Sequence, residues 1–219
     1  MQTSPASPQM QSETAELPKI TATRAREVCR AFELSEPGQR LLDDRITPLQ
    51  FVSGLIEIEC FADAVSFLAH ALPKREAVWW GCLCARDALA AQVSPAAMTA
   101  LTDAEAWVYK PTEETRHAAG AAAGAADTGS PCTWPAFAAF WAGDDIAPRG
   151  SSVKIPPAEH MSAKAVTAAV ALAATKHDRE TAAENFQRYL AQAIDIAGGG
   201  SGRRPAQRSS AARGSSGIV

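Results

Sequence analysis

Aromatic residues are scarce in this sequence, and their scarcity limits the folds open to it. They make up 6% of the 219 residues, and only two tyrosines are present. Sheets are enriched in β-branched and aromatic side chains. Alanine, which is abundant here, favours helices because it loses no side-chain entropy on entering one. The composition therefore predicts an all-α fold and argues against a sheet architecture.

Long apolar runs and paired cysteine spacings are also missing. No run approaches the roughly 20 apolar residues that a helix needs to cross a bilayer. Residues 1–5 lack the basic and apolar parts of a signal peptide. The five cysteines are odd in number and lie mostly inside apolar helical patterns, as is typical of reduced, buried thiols. We therefore expect a cytoplasmic protein without a membrane span.

The two ends of the sequence have no hydrophobic periodicity. Residues 1–19 are rich in Ser, Thr, Pro and Gln, and residues 198–219 are rich in Gly, Ser and Ala, with four arginines and no acid. Such segments cannot bury enough apolar surface to offset the entropy lost on ordering. We predict a disordered leader and a disordered basic tail, which leave one domain at residues 20–197.

Helix start signals recur along that domain as a hydroxyl residue followed by proline. In Thr47-Pro48 and Ser94-Pro95 the hydroxyl can cap a helix, and the missing proline N–H is not needed at its first position. A break is predicted near residues 57–60. Pro37-Gly38 is predicted to end the first helix, and a capping box over residues 102–105 predicts a second break.

These signals together predict eight or nine short helices, as an irregular bundle or a stack of helix hairpins. The clearest helix covers residues 73–92, in which apolar residues recur at helical spacing. Residues 143–157 hold several Pro and Gly residues without a sustained period, and we expect an ordered loop that lies over the helices.

Few residues are arranged as chemistry would require. Cys82 and Cys84 are two apart, so in a helix their side chains point about 200° apart and cannot easily share a metal ion. The other histidines and cysteines that could join them, His70, Cys132 and His160, show no metal-ligand spacing. The acidic pairs Asp43-Asp44 and Asp144-Asp145 are typical of helix ends and solvated loops. We predict no metal ion and no cofactor.

An enzyme remains an alternative. It would need a pocket in which Cys84, His70 or Asp63 converge with perturbed ionisation. A second alternative is nucleic-acid binding through the tail, but four sparse arginines beside an acidic body do not favour it.

The most informative feature is the pair Trp79-Trp80. Neighbours on a helix point about 100° apart. If both rings are buried, the helix is covered over a wide arc; if one is exposed, it is an anchor for a partner. Together with the flanking Arg75 and Arg86, the pair forms a candidate interaction surface.

Residues 72–86, which read LPKREAVWWGCLCAR, resemble the signature of a bacterial domain family of unknown function. Thr47-Pro48 and residues 61–71 resemble it as well, so the similar block covers about residues 41–90. The family has no established activity or catalytic residues, and some members lie in gene neighbourhoods of type VI secretion systems. The missing catalytic constellation and the Trp79-Trp80 pair predict a non-catalytic helical interaction protein whose partner is another protein. The resemblance implies an adaptor or chaperone-like accessory of a bacterial secretion system.

Overall fold

The computed structural model describes residues 17–89, 93–176 and 180–203. Every regular element in these residues is an α-helix, so the predicted all-α class is confirmed. The described residues contain ten helices, which is more than the eight or nine predicted. They are α1 (Ala25–Cys29), α2 (Glu36–Leu41), α3 (Pro48–Glu57), α4 (Phe61–Ala71), α5 (Lys74–Asp87), α6 (Pro95–Tyr109), α7 (Glu113–Ala125), α8 (Trp134–Phe140), α9 (Met161–Thr175) and α10 (Ala182–Ala197).

The hydroxyl caps predicted at Thr47 and Ser94 are confirmed, and Thr112 caps a third helix in the same way. The side chains of Thr47, Ser94 and Thr112 each accept a hydrogen bond from the backbone N–H three residues later, at the starts of α3, α6 and α7. The predicted break near residues 57–60 is also confirmed. Glu59 there adopts a left-handed conformation with φ of 57°, and the Cys60 N–H bonds back to the Leu55 carbonyl at 2.8 Å.

Pro37-Gly38 does not end a helix, and this prediction is wrong. Both residues lie in the first turn of α2, where proline is well tolerated. Ser35 caps that turn by accepting from the Gly38 N–H. The buried Asp63 in turn accepts from the backbone N–H and the hydroxyl of Ser35. The helix start is therefore stabilised by a carboxylate from α4, which the local sequence does not reveal.

The predicted break at residues 102–105 is wrong as well, because α6 runs unbroken from Pro95 to Tyr109. Leu101 and Ala104 are fully buried on its inner face. The Glu105 side chain, which would have completed the capping box, instead binds both guanidinium nitrogens Nε and Nη2 of Arg86 at 2.8 and 2.7 Å. Tertiary packing thus overrides a local start signal.

The helices form an irregular bundle around α5. This helix contacts α4, α6, α8, α9 and α10, and α9 also packs against α4. Repeats in a stack of hairpins touch mainly their neighbours in sequence. The contacts here join helices that are far apart along the chain, so of the two predicted architectures the bundle is the one observed.

Contacts reach past both predicted limits of the 20–197 domain. The backbone N–H of Lys19 donates to the Ala197 carbonyl at 3.0 Å, and its ammonium group pairs with Glu76 at 2.8 Å. Residues 198–203 fold back against α5. Residues 1–16 and 204–219 of the predicted leader and tail lie outside the described residues.

Residues 143–157 form a loop that is attached to α7 and α8 through Arg116. The side chain of Arg116 is 3% exposed. It donates to the carbonyls of Phe140 at 2.7 Å and Asp145 at 2.6 Å and pairs with Glu113. A Cβ on Gly143 would lie 2.6 Å from the Arg116 Nε, so glycine lets the backbone pass the guanidinium group. A loop is therefore present at residues 143–157 as expected, with no regular element among the described residues between α8 and α9; its residues 148–156 are exposed.

Replacing Arg116 with alanine should lower the free energy of unfolding by roughly 2–4 kcal/mol, because two carbonyls lose their donor and a buried stem is removed. Urea unfolding followed by circular dichroism measures the change. The control is Arg40→Ala: the Arg40–Glu36 pair is exposed on both sides, so its loss should cost less than about 1 kcal/mol. Equal effects of the two substitutions would contradict this account of the loop.

Candidate functional site

Trp80 belongs to the core. Its side chain is 0% exposed, and its indole N–H donates to the Tyr189 carbonyl on α10 at 2.9 Å. A buried ring with a satisfied N–H is a packing residue. This placement removes Trp80 from the interaction surface that the sequence suggested.

Trp79 lies at the edge of the core, where α5 meets the end of α6. Its ring is partly buried and contacts the Tyr109 ring edge-to-face, with centroids 6.0 Å apart. One turn earlier on α5, the exposed Arg75 donates through Nε to the Val108 carbonyl at 2.6 Å. Tyr109 itself is 64% exposed. We call Arg75, Trp79 and Tyr109 the Trp79 surface.

The 198–203 segment covers part of this surface. The Trp79 indole N–H donates to the Ser201 carbonyl at 2.9 Å. The Arg203 guanidinium carbon lies 4.9 Å from the Trp79 ring centroid, and Arg203 also donates to the Tyr109 hydroxyl at 2.9 Å. Sequence reasoning missed this segment because its Gly/Ser composition predicts disorder.

Arg86, the fourth predicted surface residue, binds α5 to α6 rather than pointing freely outward. Its two-pronged ion pair with Glu105 is half-buried. The hydrogen bonds to Glu105 are the main reason that the pKa of Arg86 is raised above its ordinary value. Such a fork of two parallel bonds fixes geometry as well as charge, so Arg86 acts as a tie between the helices.

The groups that an enzyme would need have different partners. The Asp63 carboxylate is bound to Ser35, and the buried Cys84 thiol faces the Gln192 side chain at 3.8 Å. Burial raises the pKa values of Cys82 and Cys84 well above their ordinary range. Both thiols therefore stay protonated near neutral pH, and a protonated thiol is a poor nucleophile and metal ligand.

His70 lines a cavity of about 470 Å³ between α4, the start of α5 and the start of α9. Its Nδ1 lies 2.7 Å from the Ser66 carbonyl and must carry the proton, since a carbonyl only accepts. Its Nε2 is then an acceptor, buried and without a hydrogen-bond partner among the described residues. The His160 ring lies 5.4 Å away, on a backbone with φ of 61°.

The remaining residues considered in the sequence analysis are the two acidic pairs and Cys132, and each lies in an ordinary structural environment. Asp43 accepts from the Arg45 backbone N–H at 2.7 Å, and Asp44 pairs with Arg26. Asp145 accepts from two N–H groups of its own loop, Asp144 borders the His70 cavity, and Cys132 is buried. Within residues 17–89, 93–176 and 180–203, no cluster of three or more His, Cys, Asp or Glu is placed to hold a metal ion. No helix in these residues is long and apolar enough to span a membrane.

Fold and site together define an all-helical protein with an aromatic surface contacted by its own C-terminal segment. The chain belongs to the family of unknown function DUF6931, whose model matches residues 51–197. The sequence-based assignment to a family of unknown function is therefore confirmed. No curated protein and no solved structure matches the chain.

Trp80→Ala should reduce the free energy of unfolding by roughly 3–5 kcal/mol, because it leaves a large cavity beside α10. Trp79→Ala, which removes a partly exposed ring with one hydrogen bond and one cation–π contact, should cost roughly 1–2 kcal/mol. Chemical unfolding of both variants measures the difference. If the two losses were equal, or their order reversed, the assignment of Trp80 to the core and Trp79 to its edge would be refuted.

His70 should make stability depend on pH. Burial lowers the pKa of His70 below 6.5, and nearby His160 and Lys164 lower it further, against the opposing hydrogen bond to Ser66. The unfolded chain then takes up a proton near pH 6.5 before the folded chain does, so the free energy of unfolding falls as the pH drops from 7 to 5.

The measurement for His70 is urea unfolding at several pH values. The slope of stability against pH between 5 and 7 should be shallower in His70→Gln than in the original protein, by at most about 1.4 kcal/mol per pH unit. Between pH 7.5 and 8.5 the slopes should coincide, which serves as the internal control. Identical slopes throughout would show that His70 does not titrate as its burial implies.

Proposed function

We propose that this protein is a non-catalytic interaction protein that binds another protein through the Trp79 surface. The observation that carries the proposal is the grouping of Arg75, Trp79 and Tyr109 at one edge of the bundle, with Tyr109 64% exposed. Arg, Trp and Tyr are the residue types that contribute most to binding energy at protein interfaces.

The position of these side chains supports the proposal. Tyr109 is 64% exposed, although its ring lies edge-to-face against Trp79, so most of its surface is free to contact a partner. The indole N–H and one ring face of Trp79 contact a segment that lies outside the helical bundle. An amphipathic ring of this kind offers both apolar contact and a hydrogen bond to a partner.

The state of the reactive groups favours a non-catalytic role. Cys82 and Cys84 are buried thiols whose pKa values are raised, which makes them inert at neutral pH. Asp63 is occupied by Ser35 at the start of α2. Each of these groups has a packing or capping role that explains its position without catalysis.

The more specific role that we propose is that of an adaptor or chaperone-like accessory of a bacterial secretion system. Its support is the resemblance of residues 72–86 to a family with members in type VI secretion gene neighbourhoods. The partner would then be a component or a cargo of that apparatus. Nucleic-acid binding through the arginines of the tail is the weaker alternative, because Arg203 already contacts Trp79 and Tyr109.

The proposal predicts that the native protein, tagged and recovered from its host, carries a stoichiometric partner that Tyr109→Ala loses. Val153→Ala is the matched control, because Val153 is also 64% exposed but lies in the 143–157 loop. We expect partner recovery to fall at least tenfold in the Tyr109 variant and to be unchanged in the control. Mass spectrometry of the partner tests whether it belongs to a secretion system.

Two results would contradict the proposal. Equal recovery in all three proteins would move the docking site away from the Trp79 surface. Absence of any partner from the unaltered protein would remove the interaction role itself. Circular dichroism of each variant confirms that the fold is intact before the comparison is made.

A further inference from the structure

The contacts of the 198–203 segment display the chemistry by which the Trp79 surface holds a peptide. The carbonyl of Ser201 accepts from the Trp79 indole N–H. The next backbone N–H, that of Gly202, donates to the Asp195 carboxylate at 2.8 Å. Asp195 lies on α10 and Trp79 on α5, so the two helices grip the main chain on both sides of the Ser201–Gly202 peptide bond.

Position 202 favours glycine. Gly202 is buried and has a φ of 69°, in the region that favours glycine. A Cβ there would lie 2.8 Å from a terminal methyl group of Leu83 and equally close to one of Ile196. Any larger residue would be strained by its backbone and would collide with both side chains.

The next position favours arginine. The Arg203 guanidinium group lies over the Trp79 ring and donates to the Tyr109 hydroxyl. A planar guanidinium can stack on a ring while its edge donates hydrogen bonds. The ammonium group of lysine is a compact point charge and lacks this geometry. The surface is thus complementary to a glycine followed by an arginine.

The family model covers the residues that hold the segment but not the segment itself. Trp79, Tyr109 and Asp195 lie within residues 51–197, which match the family model, whereas the 198–203 segment lies outside that match. The three glycines that precede the segment each donate their N–H to a carbonyl of α10, so the chain is held against α10 up to residue 200. What a partner would have to displace is therefore the set of contacts made by Ser201, Gly202 and Arg203.

We infer that the Trp79 surface binds a Gly-Arg segment of a partner protein, and that residues 201–203 occupy the same site as an internal substitute. This inference rests on the proposed function, to which it adds the chemistry of the partner. Because the internal segment is covalently tethered beside the site, it competes with any partner segment. A partner segment must displace it, so removal of the internal segment should strengthen binding.

The experiment uses the full chain and an amidated peptide with the sequence of residues 198–203, Gly-Gly-Gly-Ser-Gly-Arg. The indole N–H signal of Trp79 is followed by NMR and assigned with Trp79→Phe. In Gly202→Val the internal segment cannot seat, so this signal should move, and saturating peptide should return it to its original position. The peptide dissociation constant should be at least tenfold lower for Gly202→Val than for the unaltered protein.

Should Gly202→Val not fold, Arg203→Ala serves as the second vacated protein, because it removes the contacts of the internal segment with the Trp79 ring and the Tyr109 hydroxyl and so releases most of its side-chain hold; a gain in peptide affinity of at least tenfold is expected there too. In one control peptide valine replaces the glycine that precedes the arginine, and in the other alanine replaces the arginine. Each should bind at least tenfold more weakly. The inference is overturned if the peptide leaves the Trp79 signal of the vacated proteins unmoved. It is also overturned if the three peptides bind equally.

Failure of this inference is distinguishable from failure of the proposed function. If the peptide does not bind but Tyr109→Ala still loses its native partner, the interaction role stands and the Gly-Arg preference is refuted. If the peptide binds as expected while no partner is recovered, the binding site exists, and the claim that a partner protein occupies it in the host is refuted.

Discussion

The burial of Trp80 is the contact on which the arrangement of this protein depends. Its indole N–H is satisfied by the Tyr189 carbonyl, so α10 must lie against α5 at this point. With Trp80 directed inward, the neighbouring Trp79 points about 100° away and reaches the edge of the bundle, where α6 ends. The packing that closes the core therefore also creates the Trp79 surface.

Buried polar groups have different roles in different parts of the molecule. Arg116 fixes the 143–157 loop by donating to two carbonyls, and this loop leads to the cavity that His70 lines. The buried thiols of α5, by contrast, are kept protonated by desolvation. The buried thiols are thus part of the packed core, whereas Tyr109 at the Trp79 surface is 64% exposed. This contrast supports the proposal that the protein binds a partner rather than catalyses a reaction.

Sequence reasoning succeeded where the decisive contacts are local. The caps at Thr47 and Ser94 each involve residues within one turn of helix, so the local sequence was sufficient to predict them. It failed where a distant side chain took over. Asp63 binds the cap of α2 from 28 positions away, and Glu105 binds Arg86 instead of completing the predicted capping box. For the same reason Arg86, predicted as part of the surface, proved to be a tie between α5 and α6.

The sequence by itself determined the helical class, most helix starts, the importance of the Trp79-Trp80 pair and the membership of an uncharacterised family. The helical class and the helix starts follow from alanine content, capping chemistry and apolar spacing, and the family membership follows from the resemblance of residues 72–86; all are properties of short stretches. Only the tertiary structure decided which tryptophan is buried and that the 198–203 segment returns to Trp79. The physical reason is separation: the bond from Trp79 to Ser201 spans 122 positions, and its formation depends on α5, α6 and α10 having already packed together.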